Sequence, residues 1–385
     1  MKVLFISLIL LTVVGVAGCK RSSAPAPSAP PTAPNTLPQV PEAQGGAAPA
    51  PQTKYFKGSI GSSLDLQMKL VRADPQLTGS YFYQRVGTRI SLRGTIDPDG
   101  KFVLEEFDPA GKQTGVFKGM WTVDRQDETV QLAGFWYKPN QKDSDKSTAF
   151  SVHEEPINLS GDAEIIAKQI KESSKKLKYE IDAQYPQVTG GNNPNFEQFN
   201  QLVRAVVTKK VAEFKKDVQP KEGDEPPPEG SMGSDIGVGY EVALARDDLI
   251  SIEFAIGSYY QGAAHPNTYT ETFNYDLKNG KQLKLSDLFK PGAKYLQALA
   301  AYSIADLKKQ SKAKDDALPD DEIQNGAGPS AQNYRSWKIT KKGVGINFDP
   351  YQVGPYAAGP WYVMVPYANL KDVINPEGPI AQLRL

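Results

Sequence analysis

A single cysteine, Cys19, and two histidines, His153 and His265, are all that this chain of 385 residues offers in soft or imidazole ligands. A zinc site of the common types needs several such residues at set spacings, so no metal site is expected. Nothing in the sequence calls for a cofactor. No Gly-x-Ser-x-Gly elbow occurs, although a Ser-His-Asp arrangement around His265 stays open. The 44 basic residues balance 44 acidic ones, so no global field favours nucleic acid. Hydrophobic residues make up 39% of the chain, and the apolar run from Val3 to Val16 is too short to cross a bilayer comfortably.

That run follows Lys2 and ends in small residues, the pattern of an export signal over residues 1–18. The cysteine comes next, in Val16-Ala17-Gly18-Cys19, which resembles the bacterial lipobox. The resemblance implies cleavage before Cys19, lipidation of its thiol, and a lipoprotein held at the membrane and facing the periplasm. The bland alternative is a secretory signal with a coincidental cysteine. Lys20 follows Cys19, and the absence of Asp there resembles outer-membrane retention. Residues 20–54 carry nine prolines and almost no large apolar residues. They cannot bury a core and are expected to form a tether, which if fully extended reaches on the order of 100 Å.

Residues 55–155 read as an all-β domain. Seven short strands are expected: Ser63 to Leu70, Gly79 to Gln84, Thr88 to Ile96, Phe102 to Phe107, Gly115 to Val123, Val130 to Tyr137 and Ala149 to His153. Turns such as Asp97-Pro98-Asp99-Gly100 separate them, with proline early and glycine late. Regular spacing without a helix argues for a small antiparallel barrel or meander. In Tyr81-Phe82-Tyr83 and Phe135-Trp136-Tyr137, neighbouring rings point to opposite faces, so one set fills the barrel and the other meets solvent or a partner.

Residues 156–385 read as α+β, with an antiparallel sheet and packed helices. Ile157 to Ile170 is expected to link the domains and to hold a short helix, and a strand follows through Ile181. An amphipathic helix covers Phe196 to Val218, with Phe196, Phe199, Val203, Val207 and Phe214 on one stripe. This smaller part, 156–233, precedes 234–385. There Leu249 to Ala255 alternates as a half-buried strand, and Asn279-Gly280 signals a hairpin. A helix is expected over Lys294 to Ser311, a polar loop over 312–330, and a terminal helix from about Ala368.

Tyr260-Gln261-Gly262-Ala263-Ala264-His265, Phe273 to Lys281, Leu285-Ser286-Asp287-Leu288-Phe289 and Phe348 to Gly359 occur in an order that resembles the extracellular domain of the lysozyme-sensing anti-sigma-V factor. The same domain accompanies some peptidoglycan deacetylases. Tyr185-Pro186-Gln187-Val188 and the Phe196 helix resemble the smaller domain that usually precedes it. The family pattern has two glycines before Ala-His, and Ala263 replaces the second, so a different loop geometry is expected. The resemblance implies the fold and offers lysozyme as a ligand. Neither an anti-sigma segment nor a deacetylase domain is read in these residues, so neither sigma-factor signalling nor sugar deacetylation is expected of them.

Two tyrosine-rich loops, Ser258 to Tyr269 and Tyr351 to Tyr362, remain as a surface for a protein or glycan. The candidate ligand-binding residues are Tyr259, Tyr260, Gly262, His265, Tyr269, Tyr351, Tyr356 and Trp361. Core buttressing is the expectation for Tyr351 and Tyr356, and an even choice for Tyr259, Tyr260 and Trp361. His265 is expected to hydrogen-bond loop backbone or a tyrosine. The function expected is a non-enzymatic, lipid-anchored envelope protein that binds a protein or glycan at the cell wall, with lysozyme the most concrete candidate that the resemblance offers. The alternatives are a peptidoglycan-binding module and a wall hydrolase working through carboxylates.

Overall fold

The computed structural model describes residues 50–124, 129–140, 146–220, 233–314 and 318–383. The export signal, Cys19 and the tether as far as residue 49 lie outside the described residues.

Eight strands close an antiparallel barrel in chain order: β1 (Gln52–Ile60), β2 (Leu64–Ala73), β3 (Gln76–Tyr83), β4 (Ile90–Ile96), β5 (Lys101–Phe107), β6 (Gln113–Val123), β7 (Val130–Tyr137) and β8 (Thr148–Glu155). The seven expected strands correspond to β2 through β8. The added one, β1, begins at Gln52, inside the stretch read as tether. Its local pattern is weak, but closure demands it, because β1 supplies the partner that β2 and β8 would otherwise lack. Strict alternation on β5 sends Phe102, Leu104 and Glu106 inward and Val103 and Glu105 outward. Phe56, Leu66, Leu70, Tyr81 and Phe117 fill the interior. Gly100, with φ of 86°, closes the turn between β4 and β5 in a conformation that a side chain would strain.

The α+β part follows directly. It comprises β9 (Ile157–Asn158), β10 (Glu164–Ser174), β11 (Tyr179–Thr189), α1 (Phe196–Asp217), β12 (Ser234–Arg246), β13 (Leu249–Tyr259), β14 (Asn267–Asp276) and β15 (Lys281–Gln282). These strands make a seven-stranded sheet in the order β10-β11-β12-β13-β14-β15, with β9 beside β12. The expected linker with a short helix is instead β9 and the start of β10. Pairing from Glu164↔Thr189 to Ser174↔Tyr179 holds β10 extended, so long-range pairing overrides a locally ambiguous run of isoleucines. The α1 helix joins the parallel pair β11 and β12 and buries Phe196, Phe199, Val203, Val207, Val211 and Phe214 on the sheet.

Downstream lie α2 (Tyr295–Ala313), α3 (Asp320–Gly326), β16 (Trp337–Ile339), β17 (Gly343–Phe348), β18 (Trp361–Pro366) and α4 (Tyr367–Leu370). The three strands form a second antiparallel sheet, β16-β17-β18. Two expectations change here. The loop read over 312–330 contains α3, whose Ile323 is buried. The terminal helix is the single turn α4, because the following chain runs back to pair Ile374 with Phe289.

The β13 strand is buried on both faces, not one. Ile250, Ile252, Phe254 and Ile256 face α1, whereas Ser251 and Glu253 face the three-stranded sheet. The barrel is docked on this assembly as well. Gln67 on β2 accepts a hydrogen bond from Ala167 N at 2.8 Å, and Lys57 donates to Tyr240 O at 2.7 Å. Phe82, on the outer barrel wall, is therefore still buried, while Phe135 on β7 is exposed.

Candidate functional site

The loop between β13 and β14 and the loop between β17 and β18 lie side by side. The His265 ring stacks on Tyr356 with centroids 4.1 Å apart and planes 30° apart. The Tyr356 hydroxyl donates to Pro266 O at 2.6 Å, so the same residue both stacks on the first loop and bonds to its backbone. His265 Nδ1 lies 2.8 Å from Pro266 O. Tyr351 continues the surface at 5.4 Å from Tyr356. His265 is exposed, Tyr356 is half-buried, and Tyr351 is 65% exposed, so it is no core buttress.

Tyr351 also has φ of 70°. A bulky residue in this left-handed region costs about 1 kcal/mol or more, and a glycine would not incur it. Gly262, with φ of 88°, occupies the turn that Ala263 N closes onto Tyr260 O at 2.9 Å. The positive-φ position is thus Gly262 itself, and Ala263 is accommodated without strain.

The remaining candidates go elsewhere. Tyr259 ends β13 in register with Asp235. Tyr260 tilts against Phe214 of α1 at 5.5 Å and directs its hydroxyl to Asp217 at 3.5 Å, where burial and then the carboxylate push its pKa upward. Tyr269 packs beside Lys210, whose ammonium lies 5.4 Å from the ring centroid. Tyr260 and Tyr269 thereby anchor the first loop to α1. Trp361, at 3% exposure, belongs to the core beneath β18 and does not join the platform.

Beneath the rings runs a polar seam that sequence reasoning missed. Asp349 Oδ1 accepts from Thr270 N at 2.9 Å and from Thr270 Oγ1 at 2.8 Å, and Arg335 donates to Oδ2 at 3.3 Å. Glu253 pairs with Lys338 at 2.7 Å and accepts from Asn347 at 2.6 Å. Deeper in, Ser251, Thr272 and Asn274 bond to the backbone of β16 at Ile339 N, Trp337 N and Trp337 O. Side chains thereby satisfy strand-edge groups that no third strand covers. Asp349 lies inside a motif read for its aromatics, and no spacing rule marks it as a clamp.

The carboxylates under the platform are all engaged by cations or amide and hydroxyl donors. Among the described residues, no group of three or more His, Cys, Asp or Glu is placed to hold a metal ion. What the site offers is contact: three rings, two of them stacked, on a fixed backbone.

Residues 171–268 match the family described as Deacetylase PdaC, and residues 286–368 match the Protein of unknown function (DUF3298) family. Peptidoglycan-N-acetylmuramic acid deacetylase PdaC of Bacillus subtilis is 27% identical over 189 residues, covering 48% of this chain and 38% of that protein. Immunogenic protein MPT64 of Mycobacterium tuberculosis is 26% identical over 113 residues, 29% of this chain and 47% of that protein. Each match thus covers less than half of the relative's length. A solved DUF3298 family member from Bacteroides fragilis aligns with a TM-score of 0.43 at 20% identity, over 59% of this chain and 99% of that one. Another from Pseudomonas aeruginosa gives 0.39 at 21%, over 56% and 94%. By its family matches, the chain is similar from β10, at the edge of its seven-stranded sheet, to the end of its three-stranded one, to a deacetylase-associated pair of domains.

Proposed function

We propose that this protein is a non-enzymatic binding protein of the cell envelope, lipidated at Cys19 and facing the periplasm from the outer membrane, which takes its ligand on the His265–Tyr356–Tyr351 platform. The single observation that carries the reading is Tyr351: the residue is 65% exposed and its backbone strained, and its one ring contact is with Tyr356 at the surface, a combination that costs stability and adds nothing to the core. Rigid aromatic side chains on loops are the usual anchors of recognition surfaces. The similarity to a peptidoglycan deacetylase supports a cell-wall setting. The anti-sigma-V resemblance makes lysozyme the most concrete ligand.

A second reading, peptidoglycan strands as the ligand, is favoured by the name of the Bacillus relative and by the ability of stacked rings to hold the apolar faces of sugars. A hydrolase is the weakest reading, because the carboxylates beneath the platform already have partners.

Retention on the immobilised protein separates these readings. A muramidase retained while soluble peptidoglycan fragments pass through is the expected result. The reverse moves the ligand to the glycan, and passage of both overturns the binding function.

A further inference from the structure

We propose that Asp349 is a positioning residue that assembles the platform before any ligand arrives, by clamping the second tyrosine loop to the strand that continues the histidine loop. The role rests on the platform described above, but its test needs no ligand.

The geometry is specific. Asp349 is the first residue after β17 and stands two positions before Tyr351. Thr270 lies on β14, five positions after His265. One carboxylate oxygen takes both the N–H and the hydroxyl of Thr270, at 2.9 and 2.8 Å, and the other takes Arg335 at 3.3 Å. The carboxylate is buried, with the residue 6% exposed, so these bonds compete with little water. Ser336 extends the cluster: its hydroxyl lies 2.8 Å from Thr270 Oγ1 and accepts from Asn347 Nδ2 at 3.3 Å. With the Thr270 proton given to Asp349, Ser336 is the donor in the first of these contacts, and each hydroxyl in the chain donates once and accepts once.

The clamp acts on the rings through short lengths of chain. On one side, Thr270 fixes the start of β14 and with it Pro266, the acceptor for Tyr356. On the other, Asp349 fixes the entry to the loop bearing Tyr351 and Tyr356. Without it, the strands below stay joined through Glu253–Asn347 and Thr270–Ser336, but the contacts between the loops themselves are the His265–Tyr356 stack and the Tyr356 hydroxyl, both near solvent. A platform held this way meets its partner already formed and loses little conformational entropy on binding.

Because the chain contains two histidines, proton–carbon NMR of the imidazole groups of the full chain reads the platform directly. In the native protein the stacked Tyr356 ring is expected to displace the His265 ring-proton resonances, and Tyr356→Leu assigns that displacement. Asp349→Ala is expected to move the His265 resonances to the positions seen in Tyr356→Leu while leaving those of His153, on the barrel, unchanged. Asp349→Asn keeps an oxygen for Thr270 and is expected to restore most of the displacement. Should Asp349→Ala fail to fold, as loss of the native His153 signal would report, Thr270→Val removes one of the bonds and is expected to give a partial shift. Native His265 resonances in a folded Asp349→Ala protein, or in Thr270→Val where the alanine variant does not fold, would overturn the proposal. Because no ligand is present, that outcome leaves the binding function to its own test.

Discussion

Tyr351 separates stability from function at a single residue. Replacing it with glycine removes the left-handed strain at φ of 70° and deletes a ring that is mostly in solvent. Tyr351→Gly is expected to leave the protein as stable as before, or more stable by up to about 1 kcal/mol, since relief of strain is partly offset by the greater freedom of glycine when unfolded. The same variant is expected to weaken ligand binding by about 1–2 kcal/mol, the loss typical of a recognition aromatic. Thermal melts and a binding isotherm on one preparation check both, and a large loss of stability would place the ring in the fold. Tyr260 should behave in the opposite way. Its ring packs on Phe214, so Tyr260→Ala is expected to cost about 1–2 kcal/mol of stability.

Among the elements, α1 shows what the sequence makes legible. Apolar residues at Phe196, Phe199, Val203, Val207 and Phe214 recur at helical spacing, and the helix ends at Asp217, one residue from the expected boundary. Its buried stripe covers one face of the large sheet, and Phe199, in edge contact with Phe273 and Tyr275, is fully buried there. Phe199→Ala is expected to destabilise by about 3–5 kcal/mol in denaturant unfolding. The β10 strand and the barrel's β1 strand were not legible, because neither is specified locally. Both are fixed by partners distant in the chain. The platform was half legible for a related reason. Tyrosine and histidine in loops announce contact surface, but nothing in a loop sequence says which ring faces out, so the sequence points Tyr351 inward and does not decide Trp361. The Asp349 clamp depends on two loops meeting through a sheet contact 79 residues apart, which no local pattern encodes.

Across the whole described body, the barrel is docked on the large sheet through polar groups rather than suspended as a spacer. Gln67 bridges to β10, Lys69 and Arg89 both reach Glu164, and Lys57 lies over the Tyr240 ring at 3.8 Å. Glu155, 5% exposed in this interface, has one carboxylate oxygen without a hydrogen-bond partner, and burial pushes its pKa above the ordinary 4.5 despite the opposing charge of Lys57. The folded protein thus holds this proton more tightly than the unfolded chain. The resulting stabilisation is complete below pH 4.5 and is lost as pH rises through the elevated folded-state value. Glu155→Gln keeps a neutral side chain of the same shape, so its advantage over the native protein is expected to grow with pH across that window. Melting temperatures of the two proteins on a pH series check this, and a constant difference between them would contradict it.

The central claim is that His265 and Tyr356, brought together from two loops, form the surface that meets a ligand. Titration calorimetry with a purified muramidase against the native protein, His265→Ala and Tyr356→Ala tests it most directly. The expected result is measurable binding by the native chain and at least about tenfold weaker binding by each variant, the equivalent of about 1.4 kcal/mol, with all three melting cooperatively. Equal affinity across the three would contradict the claim, as would no heat from the native chain with either muramidase or peptidoglycan fragments.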